Sequence, residues 1–145
     1  MTAIKILIVN PELGIRLEIG SLLINKNYEL LYASDGEEAC ELLNSMHFGA
    51  VICDYKIPKI NGVDLLKSLR ARKDLTPFVY LSLTTPENVK LQLMNYGVYA
   101  FLPIAAMPKI PEVLQEVLKK NEEMESLLES KQDETREFVN ILHSA

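Results

Sequence analysis

Short apolar runs alternate along this chain with longer stretches whose apolar residues return every third or fourth position. Ile4 to Val9 (IKILIV) is β-branched and almost continuously apolar, the pattern of a strand buried on both faces of a parallel sheet. Asn10 and Pro11 stop it, with proline suited to the first turn of a helix. The next spacing predicts a helix from Leu13 to Lys26, with Ile15, Ile19, Leu22 and Leu23 on one face. Tyr28 to Ala33 is a second strand. Ser34 or Asp35 can cap a helix from Gly36 to about Met46, facing inward through Ala39, Leu42, Leu43 and Met46. Ala50 to Cys53 is a third strand and ends on Asp54. Tyr55 to Asn61 contains a proline and no helical period, so it is a loop. Val63 to Arg72 follows as a helix, Phe78 to Leu83 as a strand, Pro86 to Gly97 as a helix with Gly97 at its C-cap, and Val98 to Leu102 as a strand. A last helix begins near Pro111.

Five strands alternating with five helices imply an α/β fold, a doubly wound parallel sheet covered on both faces. Chemistry in such sheets gathers at the carboxyl ends of the strands. There the chain places Asn10, Pro11 and Glu12 after strand one, Asp54 after strand three, Ser82 near the end of strand four, and Ile104 after strand five.

The string VICDYKIPKINGVDLLKSLR is more specific than a lone aspartate. Its apolar strand, Asp54, Ile57, Pro58, Asn61 and Gly62 resemble the receiver domain of two-component response regulators, and the likeness runs without gaps from Ile4 to about Leu118. The resemblance implies a five-stranded flavodoxin-like sheet in the order 2-1-3-4-5. It implies a signalling module of a phosphorelay, with Asp54 as phosphoacceptor. Ser82 falls at the family's hydroxyl position, Phe101 at its switch-aromatic position, and Pro108 where many receivers carry a proline.

The family's chemistry explains what to look for. Nucleophile and phosphoryl group are both negative, so a divalent cation must neutralise their approach. Two acidic residues after strand one and the nucleophilic aspartate hold it. A lysine after strand five pairs with the phosphoryl group. Here the acidic pair is replaced by Asn10 and Pro11, and proline has no side-chain oxygen. The lysine position holds Ile104, followed by Ala105. The expectation is therefore an atypical receiver with weak or absent Mg²⁺-dependent phosphorylation and no cofactor. If Mg²⁺ is retained, Glu12 and Asp54 are the carboxylates left to hold it. Lys56 is the nearest cation in sequence. A solvated loop lysine outweighs one poised over the site, because such side chains keep their heads in water. Asp54, Ser82 and Phe101 remain as site and switch residues. An ordinary phospho-accepting receiver is the first alternative, and a small phosphoaspartate-type enzyme the second. The missing acidic pair, lysine and phosphate-cradling glycine loop weigh against an enzyme.

Composition narrows the partners. The chain has 145 residues, enough for one domain, and a net charge of −5 that argues against a nucleic-acid surface. No apolar run is long enough to span a bilayer. Cys40 and Cys53 lack metal-ligand spacing and read as reduced core residues of a cytoplasmic protein. A sensor histidine kinase or another signalling protein is the expected partner.

Residues 1–120 are read as the receiver-like domain and 121–145 as a helical extension, a coiled-coil linker to an output domain beyond. No Gly or Pro follows Pro111, and Leu114, Val117, Met124, Leu128, Phe138 and Leu142 recur with Asn121, Lys131 and Thr135 between them. This approximates a heptad seam. The expectation is a homodimer through the C-terminal helix, in parallel register, with Asn121 facing its counterpart.

Overall fold

A computed structural model describes residues 3–24, 26–83 and 85–144, apart from the side chains of 138, 140, 143 and 144. The strands are β1 (Ile4–Val9), β2 (Tyr28–Ala33), β3 (Ala50–Cys53), β4 (Phe78–Ser82) and β5 (Ala100–Pro103), and the helices are α1 (Leu13–Leu23), α2 (Gly36–Ser45), α3 (Gly62–Ala71), α4 (Glu87–Asn95) and α5 (Ile110–Ser144). The strands form one parallel sheet in the order β2-β1-β3-β4-β5. This is the flavodoxin-like arrangement implied by the family resemblance.

The apolar runs supply two cores because successive strand residues point to opposite faces. Leu7, Val9, Val51, Cys53, Phe78 and Tyr80 meet α2, α3 and α4 through Ala39, Leu43, Leu65, Leu66, Leu69 and Leu93. Ile6, Ile8, Ile52, Val79 and Leu81 meet α1 and α5 through Ile19, Leu23, Ile110, Leu114 and Val117. Every residue of β3 and β4 is buried, as expected for strands covered on both faces.

Local signals end the helices. The Asp35 carboxylate accepts the Glu38 backbone N–H at 2.8 Å, and Glu38 reaches back to the Ser34 N–H and hydroxyl, a reciprocal cap. Asn61 caps α3 by accepting from the Asp64 N–H at 2.9 Å. Gly97 has φ +73° just past α4, where glycine costs least.

The structure moves several sequence-predicted boundaries. α1 ends at Leu23 rather than Lys26, whose N–H turns back to the Leu23 carbonyl. Pro11 lies before the helix and Glu12 is the N-cap. β5 starts at Ala100, because the Val98 N–H is used to close α4 on Leu93. Leu83 leaves the sheet and is exposed, as is Met46, while Cys40 is only half-buried. A 3-10 helix over Ile104–Lys109 precedes α5, a segment the proline pattern had marked only as irregular.

Candidate functional site

The carboxyl edge brings Asn10, Asp54 and Lys56 together. Asn10 continues the β1 ladder through its N–H to the Ala33 carbonyl, and Asp54 continues β3 through its N–H to Val9. The two side chains therefore leave adjacent strands at one level. Asn10 is 2% exposed. Its Oδ1 accepts the Glu12 N–H at 2.9 Å, which orients Nδ2 to donate to Asp54 Oδ2 at 3.5 Å. Asp54 Oδ1 accepts the Lys56 N–H at 3.2 Å, an Asx turn. The aspartate thus faces an amide donor where the family places a carboxylate.

The other expected residues divide. Lys56 meets Asp54 through its backbone N–H, and the residue is exposed. Pro11 and Glu12 are exposed, and Glu12 enters the site through its backbone N–H. Ser82 is buried at the end of β4. Phe101 is half-buried, and with Ser82, Leu83, Thr85 and Lys90 it lines a groove of about 370 Å³. Ile104 is half-buried and packs against the core on the α1 and α5 side of the sheet. The position expected to carry a phosphoryl-binding lysine is thus filled by a side chain committed to packing.

Arg16 was missed by the sequence reading. Its Nη1 donates to the Asn10 carbonyl at 2.6 Å. Helical side chains lean toward the helix N-terminus, so an arginine in the first turns of α1 can reach back over the β1–α1 loop. Tyr80 was also missed. It pairs with Cys53 across β3 and β4, and its hydroxyl is buried beside Gly62 with no hydrogen-bond partner. A Cβ on Gly62 would collide with that hydroxyl and stand 2.7 Å from the Asp54 carbonyl. Burial pushes the Tyr80 phenol well above its usual range, and burial followed by the Asp54 charge does the same to the Cys53 thiol. Both groups are neutral packing beneath the site. The Cys53 Sγ donates to the Asp54 carbonyl at 3.1 Å.

The Asp54 loop is braced from α2. Lys59, at φ 70°, pairs with Asp35 at 3.5 Å and Glu37 at 3.4 Å, and the Gly36 N–H donates to Pro58 O at 3.0 Å.

The residues present do not fit the divalent cation that the family brings to this edge. Such an ion needs several oxygen ligands. Asn10 has its Oδ1 engaged by backbone, Pro11 offers none, and among the described residues no three His, Cys, Asp or Glu side chains gather as a metal site.

Residues 6–105 match the response regulator receiver domain. The Bacillus subtilis alkaline phosphatase synthesis transcriptional regulatory protein PhoP is 27% identical over 131 residues, covering 90% of this chain and 55% of that protein. The Mycobacterium tuberculosis transcriptional regulatory protein PdtaR is 30% identical over 112 residues, 75% of this chain and 54% of that protein. The chain spans about half the length of these curated relatives. Among solved structures, Vibrio cholerae chemotaxis protein CheY4 superposes with a TM-score of 0.68 at 27% identity, over 81% of this chain and 98% of that one. The signal receiver domain of an HD domain-containing protein from Pseudomonas fluorescens gives 0.80 at 22% identity, over 87% and 94%, a likeness of fold. With the sheet order and the placement of Asp54 already in hand, this chain belongs to the response regulator receiver domain family.

Proposed function

We propose that the chain is an atypical receiver module, signalling by conformation and assembly, in which Asp54 is retained but phosphoryl transfer to it is weak or absent. The observation that carries this reading is the Asn10 amide directed at Asp54 Oδ2 at 3.5 Å. It supplies a neutral donor where metal-assisted transfer needs an acidic ligand. Ile104, an uncharged side chain packed against the core, stands where the family chemistry has its second cation. A sensor histidine kinase or another signalling protein is the proposed partner, meeting the carboxyl edge.

The test is to incubate the chain with a small phosphodonor and Mg²⁺ and weigh it, beside Asp54→Asn. The reading expects little or no added phosphoryl mass. Rapid, stoichiometric addition that Asp54→Asn abolishes would instead make this an ordinary phospho-accepting receiver.

A further inference from the structure

The geometry points to an interaction surface on α5 that takes a second copy of this chain in antiparallel register. Ile110, Leu114, Val117, Asn121, Met124, Leu128, Lys131, Thr135, Phe138 and Leu142 follow one another in alternating steps of four and three residues. That is the a/d seam of a left-handed coiled coil. Ile110, Leu114 and Val117 are consumed by the chain's own sheet. Beyond them Met124, Leu128 and Leu142 of the seam are exposed, at 63%, 59% and 62%. Leu127 and Ile141 flank it, also exposed. An isolated helical extension with an uncovered apolar stripe gains little stability of its own and calls for a partner.

The domain decides the direction. Because the upper seam is packed on the sheet, each domain sits on the seam side of its own α5. Two parallel copies would have both domains in the same space between the helices. An antiparallel pair puts them at opposite ends. The parallel register expected from Asn121 therefore gives way. Asn121 falls at the domain edge, where its Nδ2 donates to Glu125 Oε1 at 3.4 Å on its own helix.

The seam is symmetric about residue 133, so antiparallel copies match layer for layer. Met124 falls level with Leu142, Leu128 with position 138, and Lys131 with Thr135, each twice. On the flank Leu127 meets Ile141. A parallel pair would instead set Lys131 against Lys131 in the seam, an uncompensated like-charge layer. In the antiparallel pair Lys131 faces Thr135, whose hydroxyl donates back to the Lys131 carbonyl of its own helix at 2.9 Å and so presents its methyl to the layer. Glu134 of the second copy stands beside that threonine, available to the ammonium. A groove of about 190 Å³ lies at the base of α5, lined by Leu75, Pro77, Tyr99 and Met124. Leu75 is 75% exposed there. This surface is independent of whether Asp54 is modified.

Light scattering on the full chain and on Leu128→Glu tests the assembly. The expected result is a dimer that becomes a monomer on substitution while the domain still unfolds cooperatively. A monomeric unsubstituted chain would overturn the proposal. Spin labels test direction, placed on Glu122→Cys or Gln132→Cys in a Cys40→Ser background. In the antiparallel dimer the labels at 132 are level and close, while those at 122 are offset by roughly 30 Å along the axis at 1.5 Å per residue. Equal short distances at both positions would establish the parallel pair instead.

Discussion

The Asn10 side-chain amide points at Asp54 across 3.5 Å, and its oxygen is already engaged by the Glu12 N–H. A single exchange of carboxylate for amide thus changes both the electrostatics and the ligand set of the site. Ordinary receivers crowd acidic groups here, and their repulsion raises the cost of the empty fold. In this chain Asp54→Asn is expected to change stability by no more than about 1 kcal/mol, read from the denaturant midpoint. Restoring the pair with Asn10→Asp and Pro11→Asp is expected to create a Mg²⁺ site, seen by isothermal titration and lost again with Asp54→Asn. A sub-millimolar site in the unsubstituted chain would contradict this account.

Tyr80 and Gly62 make a second test. The Tyr80 hydroxyl is buried without a partner, a state that costs about 1–3 kcal/mol. Tyr80→Phe keeps the ring and removes that cost, so unfolding should move to higher denaturant. Gly62→Ala would drive a methyl into the hydroxyl and toward the Asp54 carbonyl. It is expected to destabilise by roughly 2 kcal/mol or more, with part recovered in the double variant. A clear loss of stability in Tyr80→Phe would mean that the hydroxyl is paired.

Arg70 holds the end of α3 to two neighbouring segments. Its guanidinium donates to the carbonyls of Tyr96 and Asp74 at 2.8 Å, Thr76 at 3.1 Å and Gly97 at 3.3 Å. Replacing it by Ala leaves several acceptors without a donor. The expected loss is roughly 2–4 kcal/mol, within the range for breaking a hydrogen-bonded network. Urea unfolding would measure it, and Arg70→Lys should recover only a fraction because an ammonium cannot span the same fork.

Asp74 gives the pH dependence a named source. Burial alone would raise its carboxyl, but the Thr76 hydroxyl and N–H, with Arg72 beside them, bring it below its usual value. The ionised form is therefore favoured on folding. Its stabilisation is complete above the unfolded carboxyl pKa of about 4 and is lost as pH falls through the lower folded value. Asp74→Asn should be less stable at neutral pH and lose less on acidification from about pH 4 downward. Denaturant midpoints across that window check both signs, and parallel curves for the two proteins would remove Asp74 from the account.

Local patterns made the architecture legible. Runs such as IKILIV and AVIC lie where both strand faces are covered, so apolar continuity alone marks them. Caps at Asp35 and Asn61 and the turn at Gly97 depend on backbone groups a few residues away, and such signals survive in sequence. Boundaries that moved were settled by tight turns with no residue-type signature. The Lys26 N–H turns back to Leu23, and the Val98 N–H is kept by Leu93 at the end of α4, so β5 begins later than its apolar run suggests.

The sequence by itself determined the alternation of elements, Asp54 at a strand end with Asn10, Pro11 and Ile104 at other strand ends, and the apolar spacing of the last helix. These are statements of residue type and spacing, which need no long-range contact. Only the tertiary structure decided that Asn10 turns its amide on Asp54, that Arg16 reaches the same loop, and that the Tyr80 hydroxyl is buried against Gly62. Each depends on side chains 6 to 44 residues apart being carried to one place by separate strands and helices. The side of α5 that the domain occupies is likewise invisible in a heptad pattern. A repeat specifies which residues share a face, while the packing of Ile110, Leu114 and Val117 on the sheet specifies what space remains in front of it.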